Sequence, residues 1–150
     1  MHNLRLVTCL RVLLFVMLGL LGTSLASADT SSLSSKDEKQ IVDVVKAQLN
    51  AFAKDDSAKA FSYAAPNIKS LLGSADQFME MVRTQYAVIY RPASTIFMRP
   101  QGHYGEAVLQ IRLTDDKGAP WTALYTLQKQ KNNAWLITGC TVEVSRGTTI

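Results

Sequence analysis

Gly118-Ala119-Pro120-Trp121-Thr122-Ala123-Leu124-Tyr125-Thr126-Leu127 and Ala134-Trp135-Leu136-Ile137-Thr138-Gly139-Cys140 are two β-branched and aromatic runs, joined by the polar Gln128-Lys129-Gln130-Lys131-Asn132-Asn133. Strand-forming runs on either side of an Asn-Asn turn are a hairpin signal. Both tryptophans of the chain lie in it. In the first run Trp121, Ala123, Tyr125 and Leu127 share a face. In the second, Trp135, Ile137, Gly139 and Thr141 oppose Leu136, Thr138, Cys140 and Val142, and neither face is plainly polar. A two-residue loop at Asn132-Asn133 puts Tyr125 on Cys140's side, and a three-residue loop puts it on Gly139's side. Both registers are open at this point.

Working back from the hairpin, Asp115-Asp116-Lys117-Gly118 is a turn, because Asp side chains cap local N–H groups and Gly tolerates positive φ. Before it, Ala107, Leu109, Ile111 and Leu113 alternate with Glu106, Val108, Gln110 and Arg112, a strand with one apolar face. Pro100 to Gly105 is a turn, and Ser94 to Arg99 alternates as an earlier strand. Tyr90 and Arg91-Pro92 mark the switch into extended chain.

Upstream of that switch the period is helical. Ile41, Val44, Val45, Gln48, Leu49 and Phe52 fall on one face, with Ser35-x-x-Glu38 as a capping box at the start. Asp56 caps a short helix over Ser57 to Ala64, which Pro66 ends. Asn67 to Leu72 makes one helical turn before Gly73. Ser74-x-x-Gln77 opens a third helix carrying Phe78, Met81, Val82, Gln85 and Tyr86. Helices first and strands after predict an α+β fold, with N-terminal helices packed on a curved antiparallel sheet of four to five strands.

Several phrases carry a family resemblance. They are Gln48-Leu49-Asn50-Ala51-Phe52-Ala53-Lys54-Asp55-Asp56, Ala60-Phe61-Ser62-Tyr63-Ala64-Ala65-Pro66, Phe78-Met79-Glu80-Met81-Val82, Tyr90-Arg91-Pro92, and the two tryptophan runs. Together they resemble a small exported bacterial family known as a domain of unknown function. The order of elements resembles the cone-shaped nuclear transport factor 2-like (cystatin-like, SnoaL-like) fold. The resemblance spans nearly the whole chain after its first 28 residues. It implies a pocket between helices and concave sheet, and it brings no established activity. Some members of the wider superfamily are isomerases and dehydratases, with an inward Asp or His as general base and a Tyr or Asp as oxyanion donor.

The first 28 residues read as a secretory signal peptide: Arg5 and Arg11, an apolar run over Leu13 to Leu21, then Ala26-Ser27-Ala28. The run is shorter than the ~20 residues a spanning helix needs, so no membrane anchor is expected after cleavage. Cleavage after Ala28 predicts a periplasmic or secreted protein: a polar linker over 29–35, a single domain over 36–146 and a tail over 147–150. It also lowers the formal net charge of +4 by two, the charges of Arg5 and Arg11. The remaining cations are scattered rather than striped, which argues against nucleic acid. Cys9 leaves with the leader, so Cys140 has no intrachain partner and reads as a buried small apolar residue.

General acid–base chemistry needs a titratable group in a dry pocket. Strand and helix parity directs none of Asp43, Asp55, Asp56, Glu80, Glu106, Asp115, Asp116, Glu143 or His103 clearly inward. A bulge would break that parity. One His and one Cys far apart give no metal-ligand spacing, and no cofactor is expected. The leading expectation is therefore a binding or accessory module for an apolar or anionic small molecule. Its candidate pocket residues are Tyr63, Tyr86, Tyr90, Phe97, Trp121, Tyr125 and Trp135, with Arg91 and Arg99 near the rim. One alternative is an isomerase- or dehydratase-type enzyme in the same pocket. The other is an interaction protein forming a homodimer through a sheet face carrying Val108, Leu124, Leu136 and Val142.

Overall fold

The helix-then-strand order holds in the computed structural model, which describes residues 33–145. The expected leader over 1–28, most of the linker and the tail lie outside the described residues. Five helices come first: α1 (Ser35–Ala53), α2 (Ser57–Ser62), α3 (Pro66–Leu72), α4 (Ala75–Gln85) and α5 (Ala87–Tyr90). The strands β1 (Ser94–Phe97), β2 (Gln101–His103), β3 (Glu106–Thr114), β4 (Pro120–Lys129) and β5 (Trp135–Val144) follow. They form one antiparallel sheet in the order β1-β3-β4-β5, with β2 continuing β1 along the edge of β3.

The helix starts follow side-chain chemistry. The cap of α1 is Ser34, one residue earlier than the pattern suggests: its hydroxyl accepts from the Asp37 N–H. Asp56 and Ser74 cap α2 and α4 as their positions imply. The buried stripe of α1 is Ile41, Val45, Gln48, Leu49 and Phe52, with Ala51 added and Val44 half-buried. The segment read as leading into extended chain contains one more helical turn, α5. It is only four residues long, too short for periodicity to show, and Ile89 anchors it in the core.

The edge strand is broken for a reason visible in the chain. Pro100 has no N–H to give to β3, so pairing lapses between β1 and β2. It resumes at Gln101, inside what reads as a turn. The reversal itself is just Tyr104-Gly105, both at positive φ (50° and 81°), the geometry of a tight two-residue hairpin. Gly102 has a stricter requirement: a Cβ there would lie 2.1 Å from the Glu106 carbonyl oxygen. Gly102→Ala is expected to unpair β2 and destabilise by about 1–3 kcal/mol. Loss of hydrogen-exchange protection confined to 101–107 checks it.

The β4–β5 hairpin settles the register in an unanticipated way. Gln130 N–H donates to the Ala134 carbonyl (2.7 Å), so the loop is the three residues 131–133, with Asn133 at φ 65°. That loop alone would pair Tyr125 with Gly139. A bulge at Thr138 adds one residue, and Tyr125 faces Cys140 instead. The bulge is clamped from outside. Ala65 N–H donates to the Ile137 carbonyl, Ile137 N–H to the Tyr63 carbonyl, and Asn67 Nδ2 to the Thr138 carbonyl. Parity flips there, so Trp135 and Ile137 face the helices before the bulge, and Cys140 and Val142 pack against the core after it. Val142 is thus not on the outer face, where Val108 and Leu124 remain exposed.

The α1 N-terminus is tied to this hairpin through Asp37, whose side chain is only 16% exposed. It accepts from Lys129 Nζ (2.8 Å), Trp135 Nε1 (2.9 Å) and the Ser34 hydroxyl (2.7 Å). These donors, Lys129 foremost, hold the carboxyl down at about 2 from its usual 3.8. A carboxyl depressed on folding stabilises above its unfolded value and loses that contribution as pH falls through the folded one. Asp37→Asn is therefore expected to cost about 1–2 kcal/mol near neutrality. The gap to wild type should shrink below about pH 4 and close toward pH 2, as urea titrations across that range would show.

Candidate functional site

A cavity of about 210 Å³ sits between the helices and the concave sheet face. α1 contributes Gln48 and Phe52, α3 contributes Ile68, Leu71 and Leu72, and α4 contributes Phe78, Met81 and Val82. Tyr86 and Ile89 close one side. Tyr125 of β4 and Ile137, Gly139 and Cys140 of β5 form the floor. Leu71 is 78% exposed, so the cavity reaches the surface beside α3. The bulge shapes the floor by bringing Cys140 inward.

The polar groups are few, and each has a definite state. Gln48 is buried, and its Nε2 donates to the Ala60 carbonyl (3.2 Å). A carbonyl only accepts, so the amide orientation is set and Oε1 is left as an acceptor. Burial pushes the Cys140 thiol up to about 12, and its Sγ approaches the Thr141 carbonyl at 3.7 Å. A thiol so protonated is a poor nucleophile. Tyr125 is 1% exposed, and its hydroxyl has no hydrogen-bond partner among the described residues. Burial, then the neighbouring Cys140, raises its phenol well above the ordinary 10.0. The phenol therefore keeps its proton at neutral pH.

An orphaned hydroxyl carries a desolvation cost of about 1–3 kcal/mol. Tyr125→Phe keeps the ring and removes that cost, so the empty protein is expected to become more stable by about 1 kcal/mol. Thermal melts of the two proteins in ligand-free buffer provide the check. A less stable variant would mean the hydroxyl has a partner after all.

Of the seven aromatic residues singled out from sequence, the structure brings Tyr86 and Tyr125 to this cavity. The other five lie elsewhere. Trp135 is buried under α1's first turn with its indole N–H on Asp37, and Trp121 donates to Asp115 Oδ2 at 3.0 Å. Tyr90 has Arg83 and Arg91 against its ring and its hydroxyl on Asp55, and Tyr63 lies under Lys59. Phe97 lines a separate groove beneath Lys46. The two rim arginines are paired, Arg91 with Asp55 and Arg99 with Glu38, each at 2.8 Å. Most of the real lining is aliphatic or phenylalanine. Its one sequence signal is Gln48, a polar residue inside an apolar stripe.

No carboxylate, imidazole, ammonium or guanidinium lines the cavity among the described residues. Nor do they contain a cluster of His, Cys, Asp and Glu able to hold a metal ion, or a helix long and apolar enough to cross a membrane.

Comparison with a solved structure shows the same architecture elsewhere. A cystatin-like protein of unknown function from Nostoc punctiforme superposes with a TM-score of 0.55 at 15% identity, covering 78% of this chain and 97% of that one. A nuclear transport factor 2-like protein of unknown function from Burkholderia xenovorans gives 0.48 at 15% identity, covering 75% and 88%. No curated protein matches the chain. The helices on an open antiparallel sheet thus make a cystatin-like α+β fold, and the model of the domain of unknown function DUF4864 matches residues 34–150: the chain belongs to that family.

Proposed function

We propose that the protein is an exported small-molecule-binding or accessory module that uses the cavity between its helices and sheet. The cavity itself carries the reading. Interiors are packed nearly without voids, and atoms lining a void forfeit their dispersion partners. About 210 Å³ of apolar-walled space open beside α3 is room that an occupant would fill to advantage. Apolar cavities of ~150 Å³ take up a benzene ring, so this one suits a single ring with a short substituent. Binding is favoured over proton-transfer catalysis because no carboxylate, imidazole or ammonium group is among the described lining residues.

The export half of the proposal rests on Arg5, Arg11, the Leu13 to Leu21 run and Ala26-Ser27-Ala28. Cell fractionation with N-terminal sequencing tests it, and recovery with the leader intact in the cytoplasm would refute it. For the cavity, cumene is the probe. At ten times its Kd it is expected to stabilise the protein by about 1.4 kcal/mol. Chemical-shift changes should fall on the methyl groups of Ile89 and Ile137. Shifts confined to the outer sheet face, or none, would end the cavity reading.

A further inference from the structure

We infer that the cavity selects neutral one-ring or short-chain molecules bearing a hydrogen-bond acceptor, a carbonyl above all, seated on the Tyr125 hydroxyl, and that it refuses carboxylates. This rests on the cavity reading above and adds the chemistry of the occupant.

Three observations converge on it. The Tyr125 hydroxyl is buried in the cavity wall and has no hydrogen-bond partner among the described residues. A phenol that stays protonated is a good donor, so the group it lacks is an acceptor. The adjacent polar groups supply only a poor one: Gln48 keeps a free Oε1 but makes no bond to this hydroxyl, and the neighbouring Cys140 sulfur, set against the Thr141 carbonyl, is a weak acceptor. Among the described residues the wall holds no cation to compensate a buried anion, and Lys69, the ammonium closest in sequence to the mouth residue Leu71, sits over the Phe61 ring instead. A carboxylate entering this space would lose its hydration with nothing in return. An acceptor-free hydrocarbon would fit but leave the hydroxyl unpaired, the penalty by which a polar site rejects an analogue lacking the matching group.

Acetophenone, cumene and benzoate have the same number of non-hydrogen atoms and differ in just this chemistry. Titration calorimetry of each on wild type and on Tyr125→Phe separates the cases. Acetophenone is expected to bind wild type about tenfold tighter than cumene does, a single hydrogen bond's worth. In Tyr125→Phe the two should bind equally, with cumene's affinity unchanged. Benzoate is expected at least about tenfold weaker than acetophenone on both proteins. If cumene and acetophenone bind wild type equally, the inference fails and the cavity reading stands. If benzoate matches acetophenone, the exclusion of anions fails. If none of the three binds, the cavity reading falls as well.

Discussion

Phe52→Ala is expected to destabilise the protein by about 3–5 kcal/mol and to lower its melting temperature by roughly 10–20 °C. Phe52 is 1% exposed on the inner stripe of α1, with its ring 5.7 Å from that of Phe78 on α4. It is therefore where the first helix, the fourth helix and the sheet meet. It also borders the cavity, so truncation would enlarge an existing void instead of opening a small one that neighbours could close. The cost of a large-to-small change grows with the volume left empty, which puts this substitution toward the upper end of its range. Phe61 makes the internal comparison: its ring lies 5.5 Å from the same Phe78 but is only half-buried. Phe61→Ala should cost less than half as much. Equal losses in chemical denaturation would mean that α1 does not anchor the helical layer.

The same ring shows why sequence and site part company. Apolar periodicity found the stripes of α1 and β3 because neither element is interrupted by a bulge, and one face stays turned to the core along its length. β5 does not. Its inner face is Trp135 and Ile137 up to Thr138, then Cys140 and Val142, so alternation carried past the bulge reverses every assignment. The bulge depends on Tyr63, Ala65 and Asn67, more than sixty residues earlier in the chain. No local pattern could announce it. The aromatic residues misled for a different reason. A buried tyrosine or tryptophan seeks a partner for its polar atom. Trp121 meets Asp115, Trp135 meets Asp37 and Tyr90 meets Asp55, all away from the cavity. Tyr125 is the fully buried one, and its hydroxyl has no hydrogen-bond partner among the described residues, which marks the site.

Trp135 is where the second large effect is expected, and its two substitutions separate two contributions. Trp135→Ala removes a side chain that is 2% exposed at the start of β5 and should cost about 3–5 kcal/mol. Trp135→Phe keeps most of the apolar contact and deletes the indole N–H that donates to Asp37. The expected cost is about 1–2 kcal/mol, the range for a hydrogen bond to a charged group. Its acid dependence should change in a definite sense. Lys129 and Ser34 would still hold the Asp37 carboxyl below its usual value, but one donor fewer moves its folded pKa upward from about 2. The variant should then reach its acid-side minimum at a higher pH than wild type does. Combining Trp135→Phe with Asp37→Asn should cost less than the sum of the single changes, because both act on the same bond. Strict additivity in denaturant titrations would show that the tie between α1 and the hairpin is packing alone, with the carboxylate a bystander.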